Sequence, residues 1–249
     1  MAWLPSRLGQ YPEAAQYERA WGALASEAGA RASVAGHSVE GRPIPRYDFG
    51  RADGPAVLLT GLIHAVEFIG SVALLDFLTT LTKGPRSEVL RHARLVVLPI
   101  VNPDSLHANT DRLASGQRAF RRGNANGVDL NRNFPGLARR DPFRPFAGSP
   151  YRISPHFAGP HPFSEPETRA VRDVVLDVRP SVSLGFHSFG NLLLYPWAFT
   201  AKPNPRVRKY EKLGGVFRGA QPRAPYTVMQ ARQFYSIIGD MDDWLDAEF

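Results

Sequence analysis

The stretch Ala56-Val57-Leu58-Leu59-Thr60-Gly61-Leu62-Ile63-His64-Ala65-Val66-Glu67 decides the fold. Its first five residues run apolar without a polar alternation and stop at Gly61, the pattern of a strand buried on both faces of a sheet. A helix is expected from about residue 67 to residue 81. Residues 95–100 and 182–186 repeat the buried-strand pattern. Upstream, Pro12 opens an amphipathic helix to about residue 28, with Tyr17, Ala20, Trp21 and Leu24 on one face. Residues 33–39 and 45–49 read as short strands around the turn Glu40-Gly41-Arg42-Pro43. Downstream, residues 102–163 are rich in Gly, Pro, Arg and Asn, and a helix follows with Ser164 as its cap and Glu167 three places on. Strands alternating with helices predict an α/β fold: a mixed, largely parallel central sheet with helices on both faces. No repeat, low-complexity stretch or linker divides the sequence, so residues 1–249 are expected to form one domain.

Composition narrows the chemistry. The chain has 249 residues, 43% of them hydrophobic, enough for a full core and too apolar for a disordered chain. No apolar run approaches the ~20 residues of a membrane-spanning helix, so no membrane partner is expected. With no Cys, disulfides, thiol nucleophiles and Cys-ligated metals are excluded, and any metal must be held by His, Asp or Glu. The net charge is +7, and between Arg112 and Arg152 nine Arg face only Asp129 and Asp141. That excess suits an anion, either a small carboxylate or a nucleic acid. The basic residues are interleaved with Asn, Gly and Pro and lack an aromatic stacking platform, so no nucleic-acid partner is expected. The start lacks a basic segment followed by an apolar one. It reads as cytoplasmic if Met1 is the native start, and as secreted if an upstream signal was removed.

In open α/β sheets ligands bind beyond the carboxyl ends of the strands. His64 and Glu67 follow the first buried strand, and an i, i+3 pair at a strand-to-helix junction can aim both side chains at one point. Alone, the pair reads first as a hydrogen-bonded His and a solvated Glu. His187 follows residues 182–186 in the same way. Together the three make a borderline ligand set suited to one zinc ion. The run Phe120-Arg121-Arg122-Gly123-Asn124-Ala125-Asn126-Gly127-Val128-Asp129-Leu130-Asn131-Arg132-Asn133-Phe134-Pro135 is poor in helix and strand signals and is expected to be a loop. Arg offers a planar donor fork to a carboxylate and Asn a neutral donor beside it. Arg122 by itself reads as part of a solvated basic loop.

At this point the chain resembles the zinc metallocarboxypeptidases of the carboxypeptidase A and B type. The resemblance is carried by Gly36-His37-Ser38-Val39-Glu40-Gly41-Arg42-Pro43-Ile44, the His64/Glu67 pair, Asn102-Pro103-Asp104 and the Val-Asp-Leu-Asn-Arg-Asn-Phe run. Ser164-Glu165-Pro166-Glu167, His187-Ser188, Leu192-Leu193-Leu194-Tyr195-Pro196, and Tyr235 with Gly239, Asp243 and Trp244 continue it in order. The resemblance implies hydrolysis of the C-terminal peptide bond of peptides with a free terminal carboxylate, zinc-bound water being the nucleophile. It implies His64, Glu67 and His187 as zinc ligands, Arg121 as the arginine that polarises the scissile carbonyl, and Asn131 with Arg132 as the carboxylate grip. Tyr235 would be the tyrosine that closes over the substrate, and Asp129 would orient the first zinc histidine. Asp242 falls at the floor of the specificity pocket, where an acid selects basic C-terminal residues. It reads equally as part of a solvated acidic turn, Asp240-Met241-Asp242-Asp243.

Three positions depart from the family pattern. Phe189 stands where a Tyr is usual, and Phe120 where a Trp is. The family's general-base Glu follows the Asp-Trp pair by roughly a dozen residues, and Glu248 lies too close to Trp244 for that task. The expectation is a catalytic domain lacking its C-terminal strand and helix, with its activity as it stands left open, rather than a non-catalytic peptide-binding pseudoenzyme. Related zinc amidohydrolases and cell-wall peptidases share the ligand layout and are the alternative.

Overall fold

The computed structural model describes residues 13–118, 120–138, 145–221, 223 and 226–249. Pro12, expected to open the first helix, lies outside them. The chain forms two compact units, one from residues up to Gly127 with Glu165–Ser188, the other from Val128–Ser164 and Phe189–Phe249.

In the first unit, strands β1 (Arg31–His37), β2 (Pro43–Gly50), β3 (Ala56–Thr60), β4 (Arg94–Leu98) and β5 (Val182–Gly185) form a sheet in the order β1-β2-β4-β3-β5. The β1–β2 and β2–β4 pairs are antiparallel, and β4–β3 and β3–β5 are parallel. The sheet is mixed, with helices on both faces, as the alternation of patterns predicts. β3 has the expected bounds because it is central: Leu58, Leu59 and Thr60 are buried. Helix α1 (Ala14–Glu27) buries Tyr17, Ala20, Trp21 and Leu24, the face expected from its spacing. Trp21 stacks on Tyr47 of β2 with ring centroids 6.1 Å apart. These side chains join Leu59, Leu74, Leu78 and Val97 in one apolar core. Each large side chain fully buried there contributes about 1.5–3 kcal/mol.

Helix α2 (Phe68–Lys83) begins one residue after Glu67, which occupies the N-cap position. Gly70 in its first turn lets the helix press on the chain leaving β5, since a Cβ there would sit 3.1 Å from the Phe186 carbonyl carbon. Helix α3 (Pro103–Ala114) falls inside the Gly/Pro/Arg/Asn-rich region. Asn102 caps it by accepting from the Ser105 N–H at 3.3 Å, and Pro103 fills its first position. Helix α4 (Pro166–Val178) corrects the expected cap: Glu165, not Ser164, holds the N-cap position, because Pro166 takes the first helical residue. The Ser164 hydroxyl instead accepts from the Asn133 amide at 2.9 Å.

The second unit contains a parallel two-stranded sheet, β6 (Leu192–Tyr195) with β7 (Thr227–Gln230), and helices α5 (Val207–Gly219), α6 (Ala231–Phe234) and α7 (Met241–Glu248). Trp244 of α7 packs on Phe134 and Phe163, with ring centroids 5.6 and 5.3 Å away. The buried Asp246 carboxylate accepts from Asn204, Arg206 and Tyr210, tying α7 to α5. Among the described residues no helix is long and apolar enough to cross a membrane.

Candidate metal centre

Parallel strands end at the same edge of a sheet. Thr60 of β3 pairs in register with Gly185 of β5, and the Phe186 N–H donates to the Thr60 carbonyl at 2.8 Å. The residues just past each strand, His64 and His187, therefore emerge side by side, with ring centroids 5.0 Å apart. Glu67 joins them through a tight turn in which its N–H donates to the His64 carbonyl at 3.0 Å. Its position at the N-terminus of α2 suits a negative charge. One potential ligand atom from each of His64, Glu67 and His187 lies within 4.8 Å of the others.

The carboxylate is the centre of the group. Glu67 Oε1 lies 3.0 Å from His64 Nδ1 and accepts from Arg122 Nη1 at 3.1 Å. Its Oε2 lies 2.8 Å from His187 Nδ1 and accepts from the Ser188 N–H at 3.3 Å. Burial pushes the Glu67 carboxyl up, but the hydrogen bonds from His187 and His64 outweigh it and hold it well below the usual carboxylate range. An ionised carboxylate and two imidazoles, buried on one side and open at His187, fit a zinc ion with room for a further ligand. The donor set supports the expected single zinc site.

Among the described residues, the arginine that donates to this trio is Arg122. Asn109 holds the Arg121 backbone at both ends, accepting from its N–H and donating to its carbonyl at 2.9 Å each. With the main chain fixed, the Arg121 guanidinium turns to the Asn124 carbonyl at 3.4 Å. The next side chain points the other way, onto Glu67. Arg122 is thus no member of a solvated loop, and its sequence carries no signal that separates it from its neighbour.

Within the second unit, Asn131, Arg132 and Tyr235 come together. Asp129 caps a short 3-10 turn, Leu130–Arg132, by accepting from the Asn131 N–H at 3.1 Å. The Asn131 side-chain oxygen accepts from the Met241 N–H at 3.0 Å. Arg132 is fully buried and donates to the Phe146 carbonyl at 3.1 and 3.0 Å and to the Asn131 carbonyl at 2.8 Å. Its guanidinium carbon lies 5.9 Å from the Tyr235 ring centre, within cation–π range. Gly239 makes this possible: its φ is +84°, and a Cβ there would sit 2.6 Å from the Arg132 carbonyl oxygen. Asp129 Oδ2 faces His156 Nδ1 at 3.2 Å, a partner that the sequence did not flag. Phe146 packs edge-on against that imidazole at 5.3 Å.

Asp242 sits half-buried in the first turn of α7. The acidic run around it is not a solvated turn. Asp240 caps the helix by accepting from the Asp243 N–H at 2.7 Å. The buried Asp243 carboxylate accepts from the Ala198 N–H at 2.9 and 3.0 Å and from the Phe199 N–H at 3.1 Å. Burial, outweighing those bonds and aided by Asp242 and Asp246, pushes the Asp243 carboxyl up to about 7. Phe189 and Phe120, two of the departures from the family pattern, are both exposed aromatic side chains.

Comparison with known proteins agrees with this geometry. Residues 17–248 match the sequence model described as zinc carboxypeptidase, Peptidase_M14. Carboxypeptidase B of Astacus astacus is 31% identical over 99% of this chain and 80% of its own length. Carboxypeptidase B of Helicoverpa zea is 32% identical over 84% of this chain, which spans only 53% of that relative. The carboxypeptidase A structure from Helicoverpa armigera superposes with a TM-score of 0.82 at 24% identity, over 98% of this chain and 64% of that one, a likeness of fold. Bovine thrombin-activatable fibrinolysis inhibitor, solved with a tick carboxypeptidase inhibitor, superposes with a TM-score of 0.80 at 22% identity, over 96% of this chain and 83% of that one. With a family match across most of the sequence and a relative 31% identical over 99% of the chain, the chain belongs to the zinc carboxypeptidase family.

Proposed function

We propose that this chain forms a single catalytic domain of a zinc metallocarboxypeptidase, which hydrolyses the C-terminal peptide bond of peptides bearing a free carboxylate. The observation that carries the reading is the convergence of His64, Glu67 and His187 within 4.8 Å at the ends of two adjacent parallel strands.

His64, Glu67 and His187 would hold the zinc, Glu67 contributing the negative charge that two neutral imidazoles lack. A bound zinc supplies Lewis-acid chemistry, polarising a carbonyl and making water nucleophilic near neutral pH. Arg122 is a cation beside Glu67, and the carbonyl-polarising part stays with Arg121 in this reading. A donor in that role is worth about 2.7–4 kcal/mol to the transition state.

Arg132 and Asn131 take the terminal carboxylate in this reading, because a planar guanidinium beside an amide matches its two oxygens. Tyr235, against Arg132, covers them and excludes water. Asp129, through its hydrogen bonds, would keep an imidazole in one tautomer. Asp242 would give the pocket its preference for a basic C-terminal residue.

The test is binding of one peptide, prepared with a free or an amidated C-terminus, to the zinc-loaded chain, a readout that does not need the general base. The reading predicts binding of the free acid alone. Equal binding of both, or binding of neither, would refute it.

A further inference from the structure

Arg122 donates to a carboxylate that zinc would also have to use, and the backbone on either side of it is anchored. On one side the Arg121 backbone is held at both ends by Asn109. On the other, the Gly123 carbonyl accepts from the Ser105 hydroxyl at 2.6 Å. One residue further, the buried Asn124 amide donates to Glu165 Oε2 at 2.7 Å and to Glu167 Oε2 at 3.0 Å. Arg122 is therefore clamped between anchored neighbours with its Nη1 3.1 Å from Glu67 Oε1.

From this we infer that Arg122 and zinc compete for the Glu67 carboxylate, so that Arg122 lowers the zinc affinity of the site. The inference rests on the metal reading of His64, Glu67 and His187. Two effects act in the same direction. Lone-pair density on Glu67 that goes to a guanidinium hydrogen bond is withheld from a metal. The fixed positive charge also repels a dication a few ångströms away, in a partly buried place where water screens poorly. A second consequence follows for the arginine: if zinc took up the carboxylate, the Arg122–Glu67 bond would weaken, and the guanidinium would be freer to turn away from Glu67.

The test is the zinc dissociation constant, measured by competition with a chromophoric chelator at fixed pH and salt, for the wild type, Arg122→Gln, Arg122→Lys and His187→Ala. The inference predicts about tenfold tighter binding by Arg122→Gln, a shift of roughly 1.4 kcal/mol. Arg122→Lys, which keeps the charge, should stay within about threefold of the wild type. Unchanged or weaker binding by a folded Arg122→Gln protein overturns the inference while leaving the metal site intact, provided His187→Ala has lost its zinc. If the wild type binds no zinc, or His187→Ala binds it equally well, the metal reading falls and the inference with it. Should Arg122→Gln fail to fold, the arginine Nε–H resonance missing from the Arg122→Lys spectrum identifies Arg122 in the wild type. That resonance must move in step with zinc occupancy, and a resonance that stays fixed overturns the inference.

Discussion

His187 Nδ1 lies 2.8 Å from Glu67 Oε2 across 120 residues of sequence. The contact exists because β3 and β5 are parallel neighbours in register, and because Gly70 lets α2 approach the chain at Phe186. Backbone pairing places the imidazole, and the helix start places the carboxylate. The chemistry of the site is thus a consequence of sheet order.

Removal of any one member of the trio should abolish tight zinc binding. Glu67→Gln keeps the shape but loses the charge, and also leaves Arg122 without its carboxylate. Zinc affinity should fall by at least a hundredfold in Glu67→Gln and in His64→Ala, measured by isothermal titration. A fall below tenfold in both would argue that the ion is held elsewhere.

Arg132 is buried and gives two of its donors to the Phe146 carbonyl. Arg132→Ala would leave that carbonyl unpaired at a cost of about 1–3 kcal/mol, so Arg132→Lys is the cleaner probe. A lysine cannot reproduce the planar fork. The zinc-loaded Arg132→Lys protein should lose at least tenfold of its preference for free over amidated peptide ends, with the zinc content unchanged. An intact preference would remove Arg132 from the carboxylate grip.

Asp48 in β2 is buried and gathers three arginines: Arg31 at 2.5 Å, Arg94 at 2.9 Å and Arg46 at 3.2 Å. Burial pushes its carboxyl up, but the hydrogen bonds from Arg31, Arg94 and Arg46 outweigh it and leave the group below its ordinary value. A carboxyl more acidic in the folded than in the unfolded chain stabilises the fold above the unfolded value. That contribution disappears as pH falls through the folded one. Thermal melting between pH 5 and pH 3 should therefore be steeper in the wild type than in Asp48→Asn. Parallel curves would deny the Asp48 cluster this role.

Asp243 has the opposite sign. Its carboxyl is raised to about 7 in the folded chain, so from about pH 4 to pH 7 the unfolded state holds fewer protons than the folded one. Stability from this group should fall across that window and level off above it. Asp243→Asn should flatten the decline in melting temperature between pH 5 and pH 7.5, although it also disturbs the bonds to Ala198 and Phe199. A decline of the same slope in the variant would place its origin elsewhere.

Much of the first unit was legible because its signals are strong and local. The run at 56–60 is apolar on both faces, and the spacing of Tyr17, Trp21 and Leu24 fits one helical face. Helix α3 was hidden by Ser, His, Asn, Thr and Asp, which carry little helical preference, although Asn102-Pro103 was a usable start signal. Ser164 looked like a cap and is not one, because Pro166 shifts the helix start by a residue. The metal trio was readable from strand ends together with the family likeness. The contact of Arg122 with Glu67 was not, since the direction of a side chain in an irregular loop depends on distant anchors such as Asn109. His156 came to Asp129 by the same kind of tertiary placement.

Everything proposed for this chain depends on His64, Glu67 and His187 binding one ion together. Zinc content per chain, measured by elemental analysis after saturation and exhaustive desalting, tests that most directly when run alongside His187→Ala. The account predicts one zinc per wild-type chain and close to none in the variant. Equal zinc in the two proteins, or none in either, would contradict it.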